Sequence, residues 1–259
     1  MRIFFAGDVV GRPGRMAVEN LYPALREEYG IDVFIANCEN AAGGSGITPD
    51  ITRQLYNFGV DIITTGDHIW KEKKILEYID NDSHLLKPAN LPPGTPGVSY
   101  SLLSTEKGPK VGVFCLLGRT FMPPADCPFR KADELIEKLK GDADLIVVDI
   151  HAEATSEKVA MGRYLEGRVA AVIGTHTHVQ TADEAVLPGG TAYITDVGMT
   201  GPFESVIGRE IKPVLHRFLT QMPAFFKVAQ NDVRMSGAII DVNDRTGKAL
   251  NIERIQRKL

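Results

Sequence analysis

Short apolar runs recur along the chain, each closed by polar residues and separated from the next by amphipathic or irregular stretches. A continuous apolar run bounded by turn signals reads as a strand buried on both faces. This pattern predicts strands over Ile3–Ala6, Asp32–Ala36, Val60–Thr65, Leu145–Ile150, Val169–Gly174 and Thr191–Thr195. Val98–Leu103 and Lys110–Leu117 read as an antiparallel pair joined by Ser104–Pro109. Helical spacing appears over Arg15–Glu28, with an interruption at Pro23, and Val9–Gly14 before it reads as a loop. Thr48-Pro49 predicts an N-cap followed by a first-turn proline, and Gly59 predicts the stop after Leu55–Phe58. Lys71–Ile79, with Ile75, Leu76 and Ile79 on one face, Lys131–Lys140, Ser156–Leu165 and Pro213–Leu219 complete the helices. Phe225–Val228, Val233–Val242 and Ala249–Ile255 read as antiparallel strands, with turn chemistry at Asp244–Gly247. Strands alternating with helices, then a run of strands, predict an α/β layered architecture with a mixed sheet core.

The ionisable residues fall at particular places in this pattern. Asp8, Glu39 with Asn40, Asp67 with His68, His151, and the pair His176 and His178 each follow an apolar strand. In open α/β sheets, ligands bind beyond the carboxyl ends of the strands. In extended backbone His176 and His178 would point to one side, with Thr177 facing away. Taken alone, the pair is equally compatible with packed or surface histidines, Asn40 with a turn residue, and His68 with a spectator. Together they form an inventory of carboxylates, an amide and imidazoles without thiolate, which suits zinc, manganese or iron. There are more donors than one open site needs. Two ions about 3.5–4 Å apart sharing a carboxylate fit better, with a bridging hydroxide as the nucleophile for in-line attack on phosphorus.

Composition narrows the setting. The chain has 259 residues, 44% hydrophobic and 24% charged, which is enough for a sizeable core. A net charge of −4 argues against a broad basic surface for nucleic acid but leaves a small phosphate ester open. Three scattered cysteines, Cys38, Cys115 and Cys127, suggest neither a disulfide framework nor a thiolate metal site, so a cytoplasmic setting is expected. No signal-peptide layout and no long apolar span are visible. The loop Gly43–Gly46 could let a substrate approach the backbone closely, and Arg12, Arg15 and Arg119 are candidate phosphate clamps. Glu153 and Thr155 are candidates for orienting the imidazoles, and Cys38 reads as a small buried residue.

Gly7-Asp8, Asn37-Cys-Glu39-Asn40, Gly66-Asp67-His68, His151-Ala-Glu-Ala-Thr155 and Gly174-Thr-His176-Thr-His178 resemble the YmdB-like branch of the calcineurin-like metallophosphoesterases. Asn40–Gly44 and Gly189–Tyr193 extend the resemblance over nearly the whole chain. It implies a four-layer α/β/β/α sandwich of two mixed β-sheets flanked by helices, one domain over residues 1–259. It further implies a dinuclear phosphodiesterase acting on cyclic nucleotides, 2′,3′-cyclic and also 3′,5′-cyclic, with iron, manganese or zinc as the metal and iron favoured. By the resemblance, Asp8, Glu39, Asn40 and His178 hold the first ion, with Glu39 bridging. His151, His176 and Asp67 hold the second, and His68 is the proton donor. The family carries asparagine where this chain has Asp67. The extra carboxylate implies tighter metal retention, a preference for a mixed-valence iron pair and slower turnover. A phosphomonoesterase or 5′-nucleotidase, and a regulatory RNA-associated metal protein, are the alternatives. Homo-oligomers, RNA-related substrates and no membrane contact complete the expectations.

Overall fold

The computed structural model describes residues 1–105 and 108–259. Among the described residues thirteen strands form two sheets. The first sheet contains β1 (Arg2–Ala6), β2 (Asp8–Val9), β3 (Val33–Asn37), β4 (Ile62–Thr64), β11 (Met199–Pro202), β12 (Val233–Val242) and β13 (Ala249–Lys258). Its order is β2-β11-β12-β1-β3-β4, with β13 on the other edge of β12. The second sheet runs β5 (Tyr100–Leu103), β6 (Val111–Leu117), β7 (Leu145–His151), β8 (Ala171–Thr175), β10 (Ala192–Ile194) and β9 (Ala185–Val186). Both sheets are mixed: β1-β3-β4 and β6-β7-β8-β10 are parallel, while β12, β13, β5 and β9 pair antiparallel.

The apolar runs are continuous because both faces of each central strand are buried. Ile3, Phe5, Val33 and Ile35 face inward against Val113, Cys115, Val147 and Ile173 of the other sheet. Their neighbours Phe4, Ala6, Phe34 and Ala36 face outward, beneath Ala17, Val18, Tyr22 and Leu25 of α1 (Gly11–Tyr29) and Leu55 of α2 (Pro49–Asn57). Phe114, Leu116, Val148 and Ile150 likewise pack on Leu135 of α3 (Pro128–Leu139) and Met161 of α4 (Thr155–Tyr164). The layers are therefore α/β/β/α, as the resemblance implied. Phe4, Tyr22 and Phe34 stack with ring centroids 4.1–6.4 Å apart, fixing α1 to its sheet.

Several elements differ from the sequence expectation. Asp8–Val9 is a short strand and Gly11 already begins α1, so the expected loop over Val9–Gly14 is absent. An added Cβ at Gly14 would meet the Thr200 carbonyl oxygen at 2.4 Å, so glycine lets the helix start close to β11. The helix runs through Pro23 without restarting; Pro23 is exposed, and the hydrogen bond it cannot donate faces water. Lys71–Ile79 is not an α-helix but two short 3₁₀ turns, over Lys73–Glu77 and Ile79–Asn81, and Leu76 is exposed. Three-residue turns eclipse side chains at i and i+3, so Ile75 and Leu76 do not share a face. Phe225–Val228 is not a strand; only Val228 forms an isolated bridge, to Arg209. β9 and β11, short and without a long apolar run, carry no signal in the pattern. Thr48 does cap α2, its hydroxyl accepting from the Ile51 amide at 3.3 Å. The Ser104–Pro109 connection includes residues 106–107, outside the described residues.

Candidate metal centre at the strand ends

The parallel strands of both sheets end at one edge of the sandwich. β1, β3 and β4 deliver Asp8, then Glu39 and Asn40, then Asp67 and His68; β7 and β8 deliver His151, then His176 and His178. The structure brings all eight expected residues together. One ligand atom each from Glu39, Asp67, His151 and His176 lies within 4.8 Å of the others. His151 Nε2 is 3.2 Å from Glu39 Oε1, 3.4 Å from Asp67 Oδ1 and 3.0 Å from His176 Nδ1. On the other side of Glu39, Asn40 Nδ2 lies 3.2 Å from both Glu39 Oε1 and His178 Nε2, and His178 Nε2 lies 3.7 Å from Asp8 Oδ1. His68 Nδ1 donates to Glu39 Oε1 and Asn40 Oδ1, both at 3.2 Å, and its Nε2 is 3.7 Å from Asp67 Oδ2.

Two atoms test whether this donor set suits a cation. Asp8 Oδ1 and Asp67 Oδ1 are buried and have no hydrogen-bond partner among the described residues. A buried carboxylate oxygen without a donor is costly unless a cation completes it. Both belong to the cluster, and every other donor there is oxygen or imidazole nitrogen. The group therefore fits a hard or borderline divalent metal. Glycine makes room for it: a Cβ on Gly66 would stand 2.2 Å from the His151 ring and 2.3 Å from Glu39 Oε2.

The charges respond to this crowding. Burial pushes Asp8 up to about 6 against the pull of His178 and His151. Burial also opposes ionisation of Glu39 and Asp67, but the imidazoles outweigh it, holding Glu39 well below the usual range and lowering Asp67. Burial disfavours protonation of His151, yet Glu39, Asp67 and Asp8 outweigh that effect and raise it well above its ordinary value. Burial and the neighbouring His151 lower His176 to about 4.

The imidazoles are oriented from behind, largely by residues the sequence does not single out. Asp149, inside β7, accepts from Thr64 at 2.5 Å, Thr175 at 2.7 Å and the Asn37 amide at 3.0 Å. With its proton given to Asp149, the Thr175 hydroxyl accepts from His151 Nδ1 at 2.8 Å, so Nε2 is the atom aimed into the cluster and the one a metal would take once its proton leaves. His178 Nδ1 donates to the Ile207 carbonyl at 3.0 Å, which frees its Nε2 in the same way. His176 Nε2 meets Glu153 Oε2 at 3.2 Å, so Nδ1 is the inward atom. The one signal for Asp149 was a carboxylate inside an otherwise apolar strand.

The His176–His178 segment is not extended. β8 ends at Thr175, and His176 and His178 take left-handed φ values of +94° and +64°. Such conformations are sparsely populated for residues other than glycine. The turn is fastened through Thr177, whose amide and hydroxyl donate to Asp196 Oδ2 at 3.0 and 2.6 Å. Asp196 also accepts the Gly198 amide at 2.8 Å and pairs with the buried Lys158 ammonium at 2.7 Å. Thr177 thus faces away from the cluster as expected, although the backbone path differs.

The other candidates flank the cluster: the Gly11 amide donates to the Asn40 carbonyl and the Gly118 amide to that of His151, which places Arg12 and Arg119 one residue beyond. The Arg15 guanidinium binds the Ala41 carbonyl, and its Nε donates to Gln54 at 2.9 Å, so it braces a loop and is not available as a clamp. The glycine loop closes on Arg209, whose guanidinium binds the Gly43 and Gly44 carbonyls; a Cβ on Gly44 would meet it at 2.6 Å. At Gly44 the close neighbour is this arginine, whereas Gly43 is exposed and an added Cβ there would meet nothing within 4 Å. Arg12 is exposed, the Arg119 amide donates to Glu157, and Thr155 opens α4 as an exposed residue. Cys38 is buried.

Two facing mixed sheets with a carboxylate–imidazole cluster at their common edge define a protein of the calcineurin-like phosphoesterase fold class. The model of the YmdB-like protein family matches residues 4–255, and the chain belongs to that family. It is 50% identical over 255 residues to a 2′,3′-cyclic-nucleotide 2′-phosphodiesterase of Bacillus subtilis, covering 98% of this chain and 96% of that protein. A putative phosphatase/phosphodiesterase of Mycoplasma genitalium is 36% identical, over 99% of this chain and 92% of its own length. Two crystal structures superpose with a TM-score of 0.93. One is a hypothetical protein of Thermus thermophilus, 41% identical and covering 100% of this chain and 99% of its own. The other is a novel phosphatase of Mycoplasma pneumoniae, 35% identical and covering 100% and 93%.

Proposed function

We propose that this protein is a metal-dependent phosphodiesterase that opens 2′,3′-cyclic nucleotides, with 3′,5′-cyclic and RNA-derived cyclic ends as further substrates. Its relationship to the Bacillus phosphodiesterase supports the substrate class. The observation that carries the chemistry is the pair of unpartnered buried oxygens, Asp8 Oδ1 and Asp67 Oδ1, among imidazoles. In this reading Asp8, Glu39, Asn40 and His178 hold one ion, Glu39, Asp67, His151 and His176 the other, and Glu39 is shared. Ligation by Asn40 uses its oxygen, so its amide must turn from the present orientation, in which Oδ1 faces His68. Iron is the favoured resident metal, with manganese and zinc as alternatives, and the setting is cytoplasmic. No helix among the described residues is long and apolar enough to cross a membrane.

Two such ions, when bound, supply Lewis acidity toward the phosphorus centre and lower the pKa of a water nucleophile. The remaining work falls to the chain. Thr175, Ile207 and Glu153 hold the three imidazoles in the tautomers that present a lone pair inward. His68, partly exposed at the rim, is free to protonate the leaving ribose oxygen. Its hydrogen bond to Glu39, opposed by burial and aided by the Glu39 and Asp67 charges, raises its pKa and helps it carry that proton.

The test is hydrolysis of a 2′,3′-cyclic nucleotide by His68→Ala protein. A loss of about 10²–10⁴-fold in kcat with metal content unchanged is expected. Full activity in the variant, or a wild-type preference for monoesters over diesters, would overturn the reading.

A further inference from the structure

A groove of about 710 Å³, a volume typical of small-molecule sites, is lined by the turn Val206–Arg209, by α5 (Ile211–Thr220) and by Phe226. Two of its residues also brace the metal cluster. Ile207 takes a φ of +44°, an outlier for a β-branched residue, and its carbonyl accepts from His178 Nδ1 at 3.0 Å. The Arg209 guanidinium donates to the Gly43 and Gly44 carbonyls, in the loop that follows Asn40. One imidazole therefore separates the edge of the groove from the place proposed for the first ion.

The lining has the chemistry of a nucleotide site. Arg209 and Arg217 bring two guanidiniums, and among the described residues no carboxylate lines the groove. Glu210, between them in sequence, is exposed and stands outside the lining. The Arg217 guanidinium lies 5.9 Å from the Phe226 ring centroid, and Phe218 offers a ring that is 78% exposed. Unstacked bases lie on such rings and on guanidinium planes. The Gln221 amide, also in the lining, can donate and accept at a base edge. The charge balance selects the occupant. A 2′,3′-cyclic mononucleotide has a single negative charge, on the phosphate that the cluster would take. Two guanidiniums beyond His178 call for a second anion on the same molecule, and the rings beside them for a second base. A preceding nucleotide, joined through a phosphodiester, supplies both. One groove can do this without the broad basic surface that the net charge of −4 argues against.

We infer that the groove holds the nucleotide preceding a 2′,3′-cyclic end, its phosphate on Arg209 and Arg217 and its base on Phe218 and Phe226, so that the preferred substrate is a short oligonucleotide. The inference rests on the proposed phosphodiesterase chemistry. A diadenylate ending in a 2′,3′-cyclic phosphate should exceed adenosine 2′,3′-cyclic phosphate about tenfold in kcat/KM, through a lower KM. Arg217→Ala and Phe218→Ala should each remove most of that gain while the mononucleotide rate, metal content and Tm stay unchanged. Equal kcat/KM on the two substrates, variants that keep the gain, or a 5′-phosphorylated mononucleotide that gains as much as the diadenylate overturns the inference. Calorimetric binding of a 3′-phosphorylated diadenylate, which has no cyclic end to open, against adenosine 3′-monophosphate separates the two readings. A tenfold advantage lost in Arg217→Ala, in protein that opens neither cyclic substrate, keeps the groove and sinks the phosphodiesterase; no advantage sinks the groove.

Discussion

Asp196 Oδ2 lies 2.7 Å from the Lys158 ammonium while accepting the Thr177 amide and hydroxyl, so one buried ion pair fastens the turn that carries two histidines of the cluster. Both partners are buried, and the carboxylate has three neutral donors besides the ammonium. Asp196→Ala strands a buried cation and is expected to cost about 3–5 kcal/mol in chemical denaturation. Lys158→Met leaves Asp196 with its three donors and should cost less. Equal losses in the two variants would show that the ammonium matters as much as the clamp.

Thr175 stands between Asp149 and His151, and its hydroxyl sets which nitrogen of the ring faces inward. Thr175→Val keeps the shape and removes the relay. Metal affinity should fall about 10–100-fold, read by competition with a chelating dye, with the fold intact by circular dichroism.

Asp67 supplies an anionic oxygen to the cluster, and that oxygen has no hydrogen-bond partner among the described residues. Asp67→Asn should weaken metal retention and raise the diesterase rate per occupied site, because the ions regain Lewis acidity. Metal analysis beside initial rates checks both halves; a lower rate at full occupancy contradicts the second.

The metal-free protein should lose stability as pH rises. Asp8, raised to about 6, keeps its proton in the fold where the unfolded chain has lost it, and His151, also raised, does the same at higher pH. A folded state that binds more protons than the unfolded one is destabilised by raising pH. Across the same window as Asp8, His176, lowered to about 4, has given up a proton that the unfolded chain keeps, which offsets Asp8. The loss should therefore set in above the ordinary imidazole pKa near 6.5, where His151 still holds its proton. Adding Mn²⁺ near pH 6 should release protons, seen as a binding enthalpy that varies with buffer ionisation, and should reverse the trend.

Much of this was legible in the chain because central strands buried on both faces leave continuous apolar runs, as Ile3–Ala6 and Leu145–Ile150 do. The donors were legible because each sits where such a run stops. What lay outside reach was set by partners distant in sequence. Nothing near His178 announces the Ile207 carbonyl, and nothing near Thr177 announces Asp196. The left-handed backbone at His176 and His178 contradicts the extended spacing because these tertiary hydrogen bonds outweigh local preference. β2 and β11 are too short to show a period, and their pairing depends on the close approach of Gly7 to Gly198.

The cluster draws Asp8, Glu39, Asn40, Asp67 and His68 from one sheet and His151, His176 and His178 from the other. Away from the hydrogen bonds that Asn37 and Thr64 give Asp149, the sheets meet through apolar packing, which tolerates small slips; coordination at a metal would not. Metal retention is therefore a gauge of how the two sheets align. Trimming a side chain such as Ile35 or Val147, deep between them and away from every donor, should register first as a faster-leaving ion and only later as a lower melting temperature.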